Sequence, residues 1–358
     1  MKSTGGLQRN ALGSIDRVIA ALDPACFSIV MATGIVSLAW LHVGASGAIQ
    51  RMFADALLWG NALLFLLLVV MTAVRSVRHF RRLIVDLSDH RRAFGFFSTV
   101  AATAVLGGQF LQIAEMSGVA VSLWAFSLSL WSVLTYTIFA CITVKQDKPS
   151  LKEGLQGGWL LAVVATQSVS LLGAMLCEDL SPYRDAMLFL SLTLWLGGGM
   201  LYAWIISLIF YRYCFESIDV ETMSPPYWIN MGAMAISTLA GATLVADSDG
   251  SMLLVQLVPF IKGVTLLCWA TATWWVPLLV VLGFWRHVIQ RKRFEYDLSY
   301  WSIVFPLGMY SVCTYALSET MKLGFLDPPA SMTAYIAIAA WVVTSFGFVR
   351  HLTWKAPG

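Results

Sequence analysis

Ten long apolar segments divide this 358-residue chain, and no other feature limits its possible folds as much. A helix crossing the hydrocarbon core of a bilayer needs about 20 predominantly apolar residues. The segments run over 24–43, 53–75, 94–114, 120–144, 157–176, 185–211, 226–246, 258–285, 299–321 and 332–350. Hydrophobic residues make up 58% of the chain and charged residues 12%, against roughly 25% charge in a soluble domain. Such a chain cannot cover its surface with polar groups, so its outer face must meet lipid. The sequence predicts an all-α polytopic membrane protein with one ten-helix domain over 23–352. A polar segment, 1–22, precedes that domain and a short tail, 353–358, follows it.

The connections are short. Asp23-Pro24, Ser181-Pro182, Ser224-Pro225-Pro226 and Asp327-Pro328-Pro329 each precede an apolar run. A short polar side chain caps free backbone amides and proline suits a first helical turn, so these read as helix starts. Near the beginning, Ile15, Val18, Ile19 and Leu22 share one helical face, the pattern of a short interfacial helix. No apolar stretch there has a small-residue cleavage site behind it, which argues against a cleavable signal. With the amino terminus inside, 19 of the 23 lysines and arginines fall on the inner side, leaving Arg51, Arg184, Lys262 and Lys322 outside. The positive-inside bias then predicts an inner-membrane protein with both termini cytoplasmic. The basic residues are dispersed over loop ends, which gives no reason to expect nucleic acid. The six cysteines form no CxxC pair and imply no structural disulfide.

The odd-numbered segments share a beginning. Phe27-Ser28-Ile29-Val30-Met31, Phe97-Ser98-Thr99-Val100-Ala101 and Trp301-Ser302-Ile303-Val304-Phe305 open the first, third and ninth, and Trp159 and Trp228 hold the same place in the fifth and seventh. The even segments end on Arg78, Lys145, Arg212, Arg286 and Arg350. The repeating unit is therefore a helical hairpin, used five times. Small and hydroxyl residues collect in the odd segments, among them Thr33, Gly34, Ser37, Thr103, Thr166, Ser237 and Thr314. Close helix packing is one account of them. An inner ring of five odd helices inside five even ones is the other, and it covers the whole distribution. Aligning the repeats at their aromatic residues sets Phe305 level with Met31, Ala101, Val163 and Gly232. One ring facing such neighbours can close a narrow passage by excluding water; a packing or lipid-facing phenylalanine is the alternative.

The ten spans, the opening FSIVMATGIVSLAW at 27–40 and WSIVFPLGMYS at 301–311 resemble the tellurite-resistance/dicarboxylate transporter family over roughly residues 20–350. That family includes bacterial tellurite-resistance protein A, the slow-type anion channels of plant guard cells, and fungal malate and sulfite transporters. The resemblance implies five hairpins in quasi-fivefold symmetry, odd helices lining a central pore, and protomers assembled as homotrimers. It also implies a phenylalanine gate on the ninth helix, here Phe305 followed by Pro306. Together with the repeat, it nominates Ser28, Met31, Thr33, Ser98, Ala101, Thr103, Val163, Thr166, Gly232, Ser237 and Gly308 as pore-lining. One departure stands out: only the ninth odd span has an internal proline, so bends elsewhere must rely on glycine or serine.

Enzyme chemistry has no visible footing. There is no Walker-type loop, no HExxH and no paired-cysteine metal site, so neither cofactor nor metal is expected. The histidines, at 42, 79, 90, 287 and 351, lie at or beyond segment ends. No acid or histidine sits near the centre of an odd segment, which leaves a proton relay without members. Lys262 is expected to snorkel outward, and Glu319 to pair with Lys322 at i+3. The expected function is passive conduction of a small anion. The alternative is a coupled carrier or exporter of a C4-dicarboxylate such as malate or succinate, of sulfite, or of a tellurium oxyanion. A non-transporting scaffold or sensor fits poorly with hydroxyl-rich odd segments and so little loop.

Overall fold

The computed structural model describes residues 16–43, 47–217, 219–220 and 223–355. Lipid offers no water to backbone amides and carbonyls, so a spanning segment has to satisfy them internally, as a helix does. The long helices are α1 Ser28–Leu41, α2 Ala48–Arg78, α3 Phe97–Gln112, α4 Ser117–Val144, α5 Leu161–Met175, α6 Arg184–Phe215, α7 Ile229–Ala246, α8 Met252–Phe284, α9 Trp301–Met321 and α10 Asp327–Lys355. With their leading turns, nine of the ten are long and apolar enough to cross a bilayer. The exception is α9, 21 residues long, whose apolar content is diluted by serine, threonine, tyrosine and Pro306. It nevertheless occupies the ninth place in the architecture.

Each odd helix is entered through a short 3-10 turn: Pro24–Phe27, Ala93–Phe96, Gly157–Leu160, Pro225–Trp228 and Leu298–Tyr300. Asp23 and Asp297 cap the first and last of these, accepting the amides of Ala25 and Ser299 at 2.8 Å. The odd helices α1, α3, α5, α7 and α9 pack side by side, and α9 returns to α1, closing a ring of five. The five turns form a second closed ring at one end of it. Every even helix packs on the odd helix before it and also on the one after it, with α10 lying across the seam onto α1. The expected arrangement of five hairpins, odd helices inside and even helices outside, is the one observed.

Burial follows from the two rings. In their most apolar stretches the even spans bury 17–39% of residues inside the protein and the first four odd spans 78–89%; α9 buries 13 of its 21 residues. The exposed large side chains of the even helices, such as Leu63, Trp204, Leu267 and Val343, form the surface that faces lipid. Length differs as well: odd helices other than α9 have 14 to 18 residues, even helices 28 to 33. At about 1.5 Å per residue, a 14-residue helix falls short of the ~30 Å hydrocarbon core. The inner ring tolerates this because the outer ring screens it from lipid.

Polar side chains stitch the outer ring to the inner one in a repeated direction, from an even helix to the next odd one. Asn61 of α2 donates to Gln109 of α3 at 2.7 Å. Trp131 of α4 donates to the Thr166 hydroxyl of α5 at 2.8 Å. Trp195 of α6 reaches the Ser237 carbonyl of α7 at 2.8 Å. Trp269 of α8 donates to Thr314 of α9 at 3.0 Å, and Trp341 of α10 to Thr33 of α1 at 3.0 Å. A buried indole N–H requires such a partner, so each bond fixes rotation and depth along with contact. At the end carrying the turns, Arg75 pairs with Asp86, Lys145 donates to the Ser88 carbonyl at 2.9 Å, and Arg212 binds the Leu155 carbonyl and the Tyr227 hydroxyl. Two of the basic helix ends foreseen from the sequence, Lys145 and Arg212, thus also tie this end together.

Boundaries moved at both termini. Residues 16–20 are helical and Asp16 lies 3.2 Å from His79; Ile15 of the expected interfacial helix lies outside the described residues. At the other terminus, α10 runs through residue 353 to Lys355, past the expected start of the tail.

The ring of turns leaves no room at Gly157. A Cβ there would lie 2.6 Å from the Pro226 carbonyl carbon and 2.7 Å from the Tyr227 Cα, backbone atoms that cannot swing aside. At Gly158 the nearest atom is the end of the Gln156 side chain, 3.8 Å away. Gly157→Ala should therefore cost about 1–3 kcal/mol, read as a lowered Tm in detergent, and Gly158→Ala should leave Tm near the wild-type value. Equal behaviour of the two variants would contradict the packed ring.

Candidate functional site

Two cavities open on the ring axis from opposite ends. The cavity at the basic end, ≈ 180 Å³, is lined by the five entry turns and first helical residues, including Asp23, Ser28, Arg91, Gln156, Leu161, Ile229, Asp297 and Ser302. The far-end cavity, ≈ 350 Å³, is lined by all five odd helices, with Ile35, Ala104, Ser168, Ile236 and Met309 deepest along the chain direction. Four helices carry a lining residue of each cavity seven positions apart: Ser28 and Ile35, Leu161 and Ser168, Ile229 and Ile236, Ser302 and Met309. Seven residues are close to two helical turns, so each pair lies on one face. The residues one turn in from both are Ala32, Ala165, Ala233 and Phe305, and on α3 Ala101 holds the same level. All five have 0% exposure. Between the cavities lies a fully buried, apolar layer of four alanines and one phenylalanine.

This register corrects the sequence alignment. Counted from the first α-helical residue, Phe305 is level with Ala32, Ala101, Ala165 and Ala233, not with Met31, Ala101, Val163 and Gly232. Phe97 and Trp301 are the first residues of α3 and α9, whereas Phe27, Trp159 and Trp228 still belong to their 3-10 turns. The aromatic residue is therefore offset from the helix start by up to two positions.

Among the hydroxyl residues nominated from the sequence, only Ser28 lines a cavity. Thr33 and Thr166 accept bonds from outer-ring tryptophans. Ser98 donates to the Pro24 carbonyl at 3.3 Å, while Thr103 and Ser237 donate to carbonyls one turn back, of Thr99 and Ala233. Met31 and Val163 are fully buried beside the alanine layer. Gly232 and Gly308 are contact points between helices: a Cβ at Gly232 would lie 2.7 Å from Pro306 Cγ, and one at Gly308 3.0 Å from Ile35 Cγ2. Pro306 thus wedges α9 against α7.

Several important residues gave little sign in the sequence. Gln109 sits among α1, α2 and α3, accepting from Asn61 and donating to the Ser37 hydroxyl at 2.6 Å; Asn61 also donates to the Val30 carbonyl at 3.0 Å. A single glutamine in an apolar run was the available clue. At the far-end mouth, His42 stacks on Tyr315 with ring centroids 4.5 Å apart, and Asp247 and Glu319 line the wall. Glu319 makes no ion pair with Lys322 among the described residues; Lys322 turns off α9 with a left-handed φ of 57°. Partial burial pushes the Asp247 carboxyl up to about 6, against the opposing pull of Arg184. Arg184 itself bonds Glu178 at 2.5 Å and donates to the Asp247 and Asp249 carbonyls. Burial lowers His42 from its ordinary value.

A closed five-helix ring inside a lipid-facing ring, with cavities on one axis, defines a membrane protein of the channel and transporter class. The chain belongs to the voltage-dependent anion channel (SLAC1) family, whose model matches residues 21–349. It is 22% identical to an uncharacterized transporter of Methanocaldococcus jannaschii over 333 residues, 91% of this chain and 92% of that protein. It is 35% identical to an uncharacterized membrane protein of Mycobacterium tuberculosis over 152 residues, 42% of this chain and 77% of that one.

The bonding pattern separates wall residues from stitching residues. Thr33→Val strands the Trp341 indole N–H in an apolar setting, at about 1–3 kcal/mol, so its Tm should fall. Ser28→Ala touches only a cavity wall and should stay within about 0.5 kcal/mol of wild type. An unchanged Tm for Thr33→Val would remove the outer-to-inner stitch from this account.

Proposed function

We propose that the protein conducts a small anion along the axis of the odd helices and that Phe305 is the gate. The observation that carries the reading is the fully buried apolar layer of Phe305 and four alanines between two cavities. An apolar constriction stops ions by refusing water, and four methyl groups leave one large ring as the movable obstruction. No ionisable side chain occupies the layer. The five odd helices direct their N-termini, with partial positive charge, towards the basic-end cavity, and that field together with Arg91 favours anions against the opposing Asp23 and Asp297 carboxylates. The positive-inside bias makes the basic end cytoplasmic, in an inner membrane. The homotrimer is carried over from the family resemblance.

Replacing Phe305 with alanine should raise anion flux in liposomes severalfold. The control is Phe97→Ala, a buried ring outside the layer, which should cost about 3–5 kcal/mol in stability without raising flux. Loss of stability at Phe305 with unchanged flux would assign that ring to packing alone.

The coupled-carrier alternative rests on Asp247, a carboxyl in the far-end mouth that titrates near 6. Above that pH it is charged and repels an anion arriving from the far side; below it, the repulsion disappears. Influx from that side should therefore fall as pH rises through about 6, and Asp247→Asn should abolish the step. In a passive path the driving force stays electrical, and no proton moves with the anion. A pH gradient that alone drives uphill anion uptake, lost in Asp247→Asn, would favour the carrier over the channel.

A further inference from the structure

Outside the five-helix ring, at the basic end, a cleft of ≈ 280 Å³ is lined by Ala20, Arg75, Arg81, Arg82, Val85, Asp86 and Arg92. Four arginines face one carboxylate there. Asp86 already serves two of them: it accepts from Arg75 and, at 2.7 Å, from Nε of Arg92. Arg81 and Arg82 are exposed and make no ion pair among the described residues. Of the other carboxylates of this region, Asp16 is engaged with His79 and Arg78, and Asp89 accepts the backbone amides of Arg91 and Arg92. Arg75 is 3% exposed, yet its Nε has no hydrogen-bond acceptor. A buried donor left unpaired is costly, so the cleft is short of anionic oxygen.

The helix that carries Arg81 and Arg82, Phe80–Leu87, begins two residues after α2 ends. Leu83 and Leu87 pack into the core, while Phe80, Ile84 and Val85 are 58%, 46% and 65% exposed. An apolar face turned outward beside an arginine cluster is the pattern of a helix lying in the plane of a bilayer interface. The cleft is thus at headgroup depth. Val85, 65% exposed, lines the cleft itself and offers apolar contact beside the arginines. Arginine binds phosphate through paired N–H groups in a fixed fork, and a surface lysine would do so less specifically.

We propose that this cleft binds the headgroup phosphate of an anionic phospholipid, with Arg81 and Arg82 gripping the phosphate and Arg75 and Arg92 supplying the field behind it. The site needs the membrane setting of the fold and is independent of the conduction path. Occupancy would hold the Phe80–Leu87 helix and the end of α2 at a fixed depth, beside the turn ring.

The test is native mass spectrometry of the full-length protein with phosphatidylglycerol or phosphatidylcholine, together with Tm in mixed micelles of each lipid. Wild type should retain phosphatidylglycerol preferentially and gain Tm from it. Arg81→Gln/Arg82→Gln should weaken that binding roughly thirtyfold, about the effect of removing two interfacial arginines, with an unchanged Tm in phosphatidylcholine. Arg291→Gln/Arg293→Gln, a basic pair elsewhere at the same end, should behave as wild type. The proposal is overturned if the first double variant keeps the preference, if the second loses it equally, or if inorganic phosphate without lipid gives the same gain in Tm.

Discussion

Everything in this molecule depends on closing a ring whose α-helices, taken without their entry turns, are mostly shorter than the hydrocarbon core. A helix of 14 to 18 residues leaves backbone ends inside the hydrocarbon layer unless protein or trapped water meets them. The five odd helices solve this collectively. Their 3-10 turns pack against one another in a second ring, and the longer even helices carry the lipid contact. The short inner helices also explain why cavities penetrate from both ends.

The outer ring does more than screen. Each even helix sends a polar side chain to the next odd helix, and the last sends Trp341 back to Thr33 of the first. A ring built from hairpins of one pattern is otherwise free to slip by a turn, because leucine and valine surfaces pack in many registers. An indole N–H has one acceptor and loses a bond if the helix slides. Hydrogen bonds in this setting carry depth information that van der Waals contact alone lacks. The apolar layer inherits that precision, since four alanines and a phenylalanine meet at one level only in one register.

The hairpin repeat, the two concentric rings and the basic end were legible in the sequence because each rests on a pattern spread over many residues. Hydropathy, charge asymmetry and a repeated aromatic all point the same way. The axis-facing residues were less legible. Hydroxyl residues suggested a polar wall, but Thr33, Thr166 and Ser237 serve bonds within or between helices. In a membrane, a hydroxyl that stabilises packing and one that faces an axial cavity have the same local sequence. The layer was also misaligned by one or two positions, because the repeated aromatic ends a 3-10 turn in some hairpins and begins an α-helix in others. The far-end mouth is not legible in the sequence, because His42, Asp247 and Glu319 come from three separate helix ends that converge only in the fold.

The central claim is that Phe305 and its alanine neighbours divide one axial path into two compartments that open to opposite sides. Single cysteines at Ser302 and Met309, one turn to either side of Phe305, test it directly in sealed vesicles with a membrane-impermeant thiol reagent. Protein lacking Cys141 and Cys214, the native cysteines that are not buried, provides the background. The account predicts that Ser302→Cys reacts only from the basic side and Met309→Cys only from the far side. Reaction of both from one side, or of neither from any side, would contradict it.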